Sequence, residues 1–121
     1  MSVSKNYHII TFGCQANISD SERIANILEE LGYRPSPVLE RVDVLVINTC
    51  SVRQVAEDKV LGRAPKLQIL KNKNANLKII LTGCMLHHNL SRLKNILPPV
   101  DIFLPIKDLW RLPGLLGGNL K

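Results

Sequence analysis

The sequence predicts an α/β fold, a single Rossmann-like or flavodoxin-like domain with a mostly parallel sheet of four to five strands and helices on both faces. Four short apolar runs show no alternation of polar and apolar residues, which is typical of strands buried on both faces. Helical patterns separate these runs, and this β-α-β order implies right-handed crossovers. The chain has 121 residues, 45% of them hydrophobic, which suits one domain with its own core.

The predicted strands are the four runs that are rich in Ile, Val and Leu. They are Tyr7–Phe12, Val42–Ile47, Leu77–Leu81 and Val100–Leu104. A weaker fifth strand is predicted near Tyr33–Val38. Pro35 and Pro37 restrict it to an edge of the sheet, because proline cannot donate a hydrogen bond to a neighbouring strand.

The first helix is predicted from a capping box formed by Ser19 and Glu22, with apolar residues at helical spacing behind it and Gly32 as its stop. A second capping pair, Ser51 and Gln54, predicts a helix that Pro65 interrupts. The remaining helical patterns are Leu67–Leu70, a third helix through Leu90, Leu93 and Leu97, and a short terminal helix after Pro105.

Composition narrows the classes of function. The formal net charge of +6 and the pI of about 9.5 favour polyanionic partners such as nucleic acid. No apolar stretch approaches the ~20 residues of a membrane span, and the N-terminus lacks the apolar core of a signal peptide. We therefore expect a cytoplasmic monomer. No GxGxxG, Walker A loop or serine nucleophile elbow is present.

The three cysteines each follow the carboxyl end of a predicted strand, at Cys14, Cys50 and Cys84. In a parallel sheet these ends share one edge, where ligands bind. Thiolates are soft ligands that suit iron–sulfur clusters and zinc, so the sequence predicts a shared three-thiolate site for a 4Fe–4S cluster. Two alternatives stay open: a zinc site completed by His87, and three small buried cysteines without a metal.

Three motifs contain these cysteines, namely GCQAN at 13–17, NTCSVR at 48–53 and TGCM at 82–85. In this order they resemble the MiaB-type tRNA methylthiotransferases, which are radical S-adenosylmethionine enzymes. The resemblance covers about Tyr7 to Leu116. Ribosomal-protein methylthiotransferases of the RimO type are similar, so the sequence leaves open whether tRNA or a ribosomal protein is modified.

The resemblance implies an auxiliary 4Fe–4S cluster held by the three cysteines that match the family's ligands, Cys14, Cys50 and Cys84. It also implies that Gln15, Asn17, Asn48 and Arg53 lie near this cluster, although Arg53 is equally compatible with a solvated surface position. The family's reaction inserts a methylthio group at C2 of N6-isopentenyladenosine beside the tRNA anticodon. The open iron of the auxiliary cluster is expected to present the transferred sulfur.

The chain departs from the family pattern because it has no further cysteine and therefore no CxxxCxxC motif. The radical domain, with S-adenosylmethionine and a second 4Fe–4S cluster, and the RNA-binding TRAM domain are absent from residues 1–121. We expect the chain to be one domain of a longer transferase, inactive alone, whose core spans about residues 7–116. The alternative is a stand-alone module that binds metal, a cluster or RNA without catalysis.

Overall fold

Five parallel strands form one sheet in the computed structural model, which describes residues 5–12, 15–49, 62, 65–83, 95 and 98–116. The strands are β1 (Lys5–Phe12), β2 (Tyr33–Pro35), β3 (Val44–Thr49), β4 (Lys78–Gly83) and β5 (Ile102–Leu104). All four pairs of neighbouring strands are parallel. Each predicted apolar run supplies a strand, and the weaker run supplies β2 at an edge of the sheet, as predicted.

The helices of the described residues lie between and after these strands. They are α1 (Gln15–Glu30), α2 (65–73) and α3 (Leu112–Leu115), with 3-10 turns at Leu39–Arg41 and Ile106–Arg111. Gly32 follows α1 with a φ of 99°, a left-handed conformation that favours glycine, so the predicted stop is confirmed. The predicted helical residues after Pro105 and at Leu67–Leu70 are confirmed as well.

The strand order is β2-β1-β3-β4-β5, the order of flavodoxin-like doubly wound sheets. From β1 the chain moves to β2 on one side and then crosses to β3 on the other side. The carboxyl ends of β1 and β3 therefore flank a topological switch point, where folds of this class bind their ligands. The predicted α/β class and the flavodoxin-like architecture are confirmed.

Apolar side chains cover both faces of the sheet. On one face, Leu67 and Leu70 of α2 pack against a cluster that includes Leu45 of β3. On the opposite face, Ile24 and Leu28 of α1 pack with the C-terminal helical segment. All six residues of β3 are buried, because successive side chains point to opposite faces and both faces are covered. This double burial explains why the strand has no alternating pattern.

The strands β3 and β4 extend two residues beyond the predicted apolar runs. They end at Thr49 and Gly83, and they include the polar pair Asn48 and Thr82 in register with each other. Backbone hydrogen bonding between parallel neighbours continues there even though the side chains are polar. The apolar pattern alone therefore placed the carboxyl ends of these strands too early.

The capping-box prediction for the first helix is wrong. The helix α1 begins at Gln15, four residues before Ser19, and Ser19 lies exposed within it. Ser19 therefore does not cap the helix, and the Ser-x-x-Glu spacing lies inside it. Ser21, two residues after Ser19, contacts two strands of the sheet through its hydroxyl.

Some predicted elements lie outside the described residues, namely the capping pair Ser51 and Gln54 and the helix through Leu90, Leu93 and Leu97. Within the described ranges, no helix combines the length and the hydropathy needed to cross a membrane.

Candidate functional site

The carboxyl edge of the sheet is the candidate site, because three adjacent strands end there in one register row. Phe12 of β1 pairs with Thr49 of β3, and Thr49 pairs with Gly83 of β4. Cys50 directly follows Thr49 in the sequence, and Cys84 directly follows Gly83. The structure thus brings side by side the three strands that lead into the predicted ligands.

The cysteines themselves, Cys14, Cys50 and Cys84, lie outside the described residues, as do Arg53 and His87. Gln15 and Asn17 are placed in the first turn of α1, although their side chains are not among those described. Among the described residues, no group of three or more His, Cys, Asp or Glu side chains could hold a metal ion. The feature that favours a metal centre is therefore the adjacency of three strands, each of which is followed in the sequence by a cysteine.

The N-terminus of α1 adds an electrostatic feature to this edge. The helix spans 16 residues and begins at Gln15, immediately after Cys14 in the sequence. Its first turn carries no acidic residue. The partial positive charge of the helix N-terminus is therefore not offset by a carboxylate of that turn, and it favours negative charge nearby.

A polar layer lies one residue before the strand ends. Thr11, Asn48 and Thr82 occupy one register row across β1, β3 and β4. Asn48 and Thr82 are fully buried, each with 0% exposure. Since paired residues in register point to the same face of a sheet, this row faces α1 together with the apolar residues of that face.

Ser21 of α1 connects the helix to this layer. Its Oγ lies 2.7 Å from Thr11 Oγ1, and the Asn48 amide donates a hydrogen bond to it over 3.0 Å. These bonds tie the N-terminal half of α1 to β1 and β3, the two strands that flank the switch point. Asn48, predicted to lie near the site, is thus placed in the layer beneath it.

Sequence reasoning missed Thr11, Ser21 and Thr82 as members of this layer. A signal was available, since Asn48 precedes Cys50 by two residues and Thr82 precedes Cys84 by two residues. When polar residues stand two positions before two different cysteines, at the ends of buried strands, the pattern indicates that these polar residues share one environment. The contribution of Ser21 required the contact with the sheet.

Two perturbed tyrosines lie in the amino half of the sheet, away from this edge. The Tyr7 hydroxyl donates a 2.6 Å hydrogen bond to Glu29 Oε2, and burial, followed by this bond and the charge of Glu29, raises the pKa of Tyr7 to about 12. Burial, followed by the charge of Asp43, raises the pKa of Tyr33. These shifts arise from packing and do not mark the candidate site.

A model of the uncharacterized protein family UPF0004 matches residues 6–105, which include all three cysteine motifs. The chain belongs to this family. The match begins within β1 and ends just after β5, so it covers the sheet described above except for Lys5.

Curated relatives of this UPF0004 chain share one name, tRNA-2-methylthio-N(6)-dimethylallyladenosine synthase. The protein of Dictyoglomus thermophilum is 47% identical over 110 residues, which are 91% of this chain and 25% of the relative. The protein of Carboxydothermus hydrogenoformans is 43% identical over 114 residues, 93% of this chain and 26% of the relative. That of Clostridioides difficile is 42% identical over 113 residues, 92% of this chain and 24% of the relative.

The UPF0004 chain therefore spans about a quarter of the length of the relatives that it matches. Together, the family match and these names confirm the predicted resemblance to the MiaB-type tRNA methylthiotransferases.

Proposed function

We propose that this chain is the auxiliary 4Fe–4S cluster-binding domain of a tRNA methylthiotransferase. In the whole enzyme it supplies sulfur for the 2-methylthiolation of N6-isopentenyladenosine beside the anticodon of tRNA. The observation that carries the proposal is the register row Phe12, Thr49 and Gly83, because each strand of this row leads into a cysteine within two residues. The names of the relatives indicate the same modification of tRNA.

The donor set fits a cluster. Neighbouring strands lie about 4.8 Å apart, so the paired strand ends Thr49 and Gly83 are close together, and each is followed in the sequence by a cysteine. Thiolates are the ligands of 4Fe–4S clusters, and Cys14, Cys50 and Cys84 are the residues that would hold one here. When bound through three thiolates, such a cluster supplies an iron with an open position at which sulfur is delivered.

The residues of this chain have distinct parts in that arrangement. The N-terminus of α1 lowers the free energy of negative charge at the edge. Asn48 and Ser21 fix α1 against β3, and thereby fix the chain segments that lead into Cys14 and Cys50. Gln15, Asn17 and Arg53 remain proposed neighbours of the cluster.

In this proposal, the radical chemistry and the binding of tRNA belong to the part of the full-length protein that corresponds to the unmatched three quarters of the relatives. That part would contain S-adenosylmethionine, a second 4Fe–4S cluster in a radical domain, and the TRAM domain that contacts tRNA. The fragment alone is then inactive, while its cluster is still measurable.

Anaerobic reconstitution of this chain with iron and sulfide tests the cluster. We expect about four irons per wild-type chain, since a cubane cluster contains four, and loss of most of this iron in Cys14→Ala, Cys50→Ala and Cys84→Ala. Iron quantitation and an absorption spectrum provide the measurement. Ser19→Ala, an exposed change within α1, is the matched control and should retain the iron.

Iron uptake that is equal in the wild-type chain and in all three cysteine variants would contradict the shared site. One zinc ion per chain in place of iron would instead support the four-ligand site with His87.

A further inference from the structure

The buried hydroxyl of Thr82 is the most unusual polar group that the structure describes. Thr82 is fully buried. Among the described residues, its Oγ1 is the one buried side-chain oxygen or nitrogen atom that has no hydrogen-bond partner. Its neighbours in the same register row differ from it, because Thr11 and Asn48 both contact Ser21. The row therefore contains two polar side chains with a shared partner and one whose partner is still to be assigned.

A buried hydroxyl without a partner destabilises a protein, because the group loses its bonds to water on folding. Valine has nearly the same shape as threonine and would fill this position without that loss. Valine would also suit the apolar residues on this face, since Ile80 lies two residues earlier in β4 and Leu104 is the register partner on β5, and both are buried. A threonine here therefore indicates a bond to a group at the site.

The position of Thr82 indicates what this group is. Thr82 lies in β4, between β3 and β5, and precedes Cys84 by two residues. Hydrogen bonds to the sulfurs of an iron–sulfur cluster are among the factors that set its reduction potential. A hydroxyl in the layer next to the ligand-bearing edge is suited to donate such a bond.

We infer that Thr82 is a positioning residue whose hydroxyl donates a hydrogen bond to a sulfur of the site formed by Cys14, Cys50 and Cys84. This inference rests on the proposed function. The bond stabilises the added negative charge of the reduced cluster and therefore raises its reduction potential. It also satisfies a hydroxyl that folding alone leaves without a partner among the described residues.

The test compares Thr82→Val with Thr11→Val, which makes the same change in the same row where the hydroxyl already has a partner. Two quantities are measured: the free energy of unfolding of the metal-free, reduced chain, and the reduction potential of the reconstituted chain. We expect Thr82→Val to leave the metal-free chain as stable as the wild type or more stable, and to shift the potential to more negative values. Thr82→Ser, which keeps the hydroxyl, should retain the wild-type potential.

Thr11→Val should show the opposite pattern, with a less stable metal-free chain and a potential near that of the wild type. If Thr82→Val destabilises the metal-free chain as Thr11→Val does, the hydroxyl bonds to a protein group and the inference is overturned. Equal potentials for Thr82→Val and the wild type also overturn it, while the cluster itself stands. A wild-type chain that takes up no iron overturns the proposed function and this inference together.

Discussion

At the scale of the single residue, Tyr7 shows how burial and one charged neighbour act on the same group. Its side chain is 5% exposed in the amino half of β1, and Glu29 of α1 accepts its hydroxyl hydrogen. The bond joins the C-terminal end of α1 to β1, two turns along the helix from the contacts of Ser21. Side-chain hydrogen bonds therefore tie both halves of α1 to β1.

The raised pKa of Tyr7 predicts a loss of stability in alkaline solution. In the folded chain the pKa of Tyr7 is raised to about 12 from the ordinary tyrosine value of 10.0, so the unfolded chain ionises first as the pH rises. The contribution of Tyr7 is fully present below pH 10 and is lost as the pH rises towards about 12. We expect the wild type to lose about 1–2 kcal/mol more than Tyr7→Phe over this range, less than the full shift implies because the bond is only partly buried.

Urea unfolding at several pH values between 9 and 12 measures this effect. Glu29→Gln is the informative control, because it removes the charge and leaves burial, the largest cause of the shift. Its pH dependence should lie between those of the wild type and Tyr7→Phe. Parallel curves for the wild type and Tyr7→Phe would show that Tyr7 does not titrate differently in the folded chain.

At the scale of the element, α1 depends on its contacts with the sheet as much as on its own sequence. The Ser-x-x-Glu pattern indicated a start at Ser19, four residues after the actual start at Gln15, and it did not indicate that Ser21 contacts Thr11 and Asn48. Local sequence patterns carry no information about such tertiary hydrogen bonds. The stop at Gly32 was predictable because a left-handed φ is a local property that glycine tolerates best.

Ser21→Ala should destabilise the metal-free chain by about 1–2 kcal/mol, because it removes the hydrogen bonds that Ser21 makes with Thr11 and with the amide of Asn48. Ser19→Ala makes the same chemical change two residues earlier on an exposed position of α1, and it should alter stability by less than about 0.5 kcal/mol. Thermal unfolding of the two variants provides the comparison. Because alanine has a higher helix propensity than serine, propensity cannot explain a loss of stability, and equal stabilities of the two variants would mean that the contact of Ser21 with Asn48 contributes little.

The beginning of β5 depends on a charged contact with α2. Lys71 Nζ lies 2.8 Å from both carboxylate oxygens of Asp101 and donates to the Leu77 carbonyl over 2.9 Å. Asp101 Oδ2 also accepts the backbone N–H of Ile79 at 2.8 Å. Asp101 thus satisfies a strand donor as well as a salt bridge, and these two roles can be separated by mutation.

Asp101→Ala should cost about 1–3 kcal/mol of unfolding free energy, because the N–H of buried Ile79 loses its acceptor. Lys71→Met keeps most of the side-chain stem and should cost about 1 kcal/mol or less, since the ion pair is partly exposed to solvent. Denaturant unfolding of both variants measures the difference. Both variants lose the salt bridge, so equal losses would assign the main stabilisation to it, and a larger loss for Lys71→Met would assign it to the bond from Lys71 to the Leu77 carbonyl.

At the scale of the whole molecule, the parallel order of the strands was predictable, and the polar layer was only partly so. Continuous apolar runs such as Val44–Ile47 indicate strands covered on both faces, and the intervening helical patterns imply crossovers. Asn48 and Thr82 interrupt that pattern although they belong to the strands, so the strand ends were placed too early. The polar layer that they form depends on register, which the individual runs do not specify.

The edge at which the three strands end was predictable, because the carboxyl ends of parallel strands lie at the same edge of a sheet. The strand order adds information that the sequence lacked, since β1 and β3, the strands before Cys14 and Cys50, flank the switch point. The third strand, β4, is the neighbour of β3, so the three strands are adjacent and not merely on one edge. Adjacency depends on the crossover from β2 to β3, which local patterns do not determine.

The two outermost strands of the described sheet, β2 and β5, have only three residues each, and β2 ends with Pro35. Short outer strands expose few unpaired backbone groups, and proline removes one donor, so neither border offers a long template on which another chain can add a strand. Separate copies of the chain are therefore not expected to aggregate by pairing the edges of their sheets. Concentrated solutions of the metal-free chain should accordingly resist the growth of fibrils.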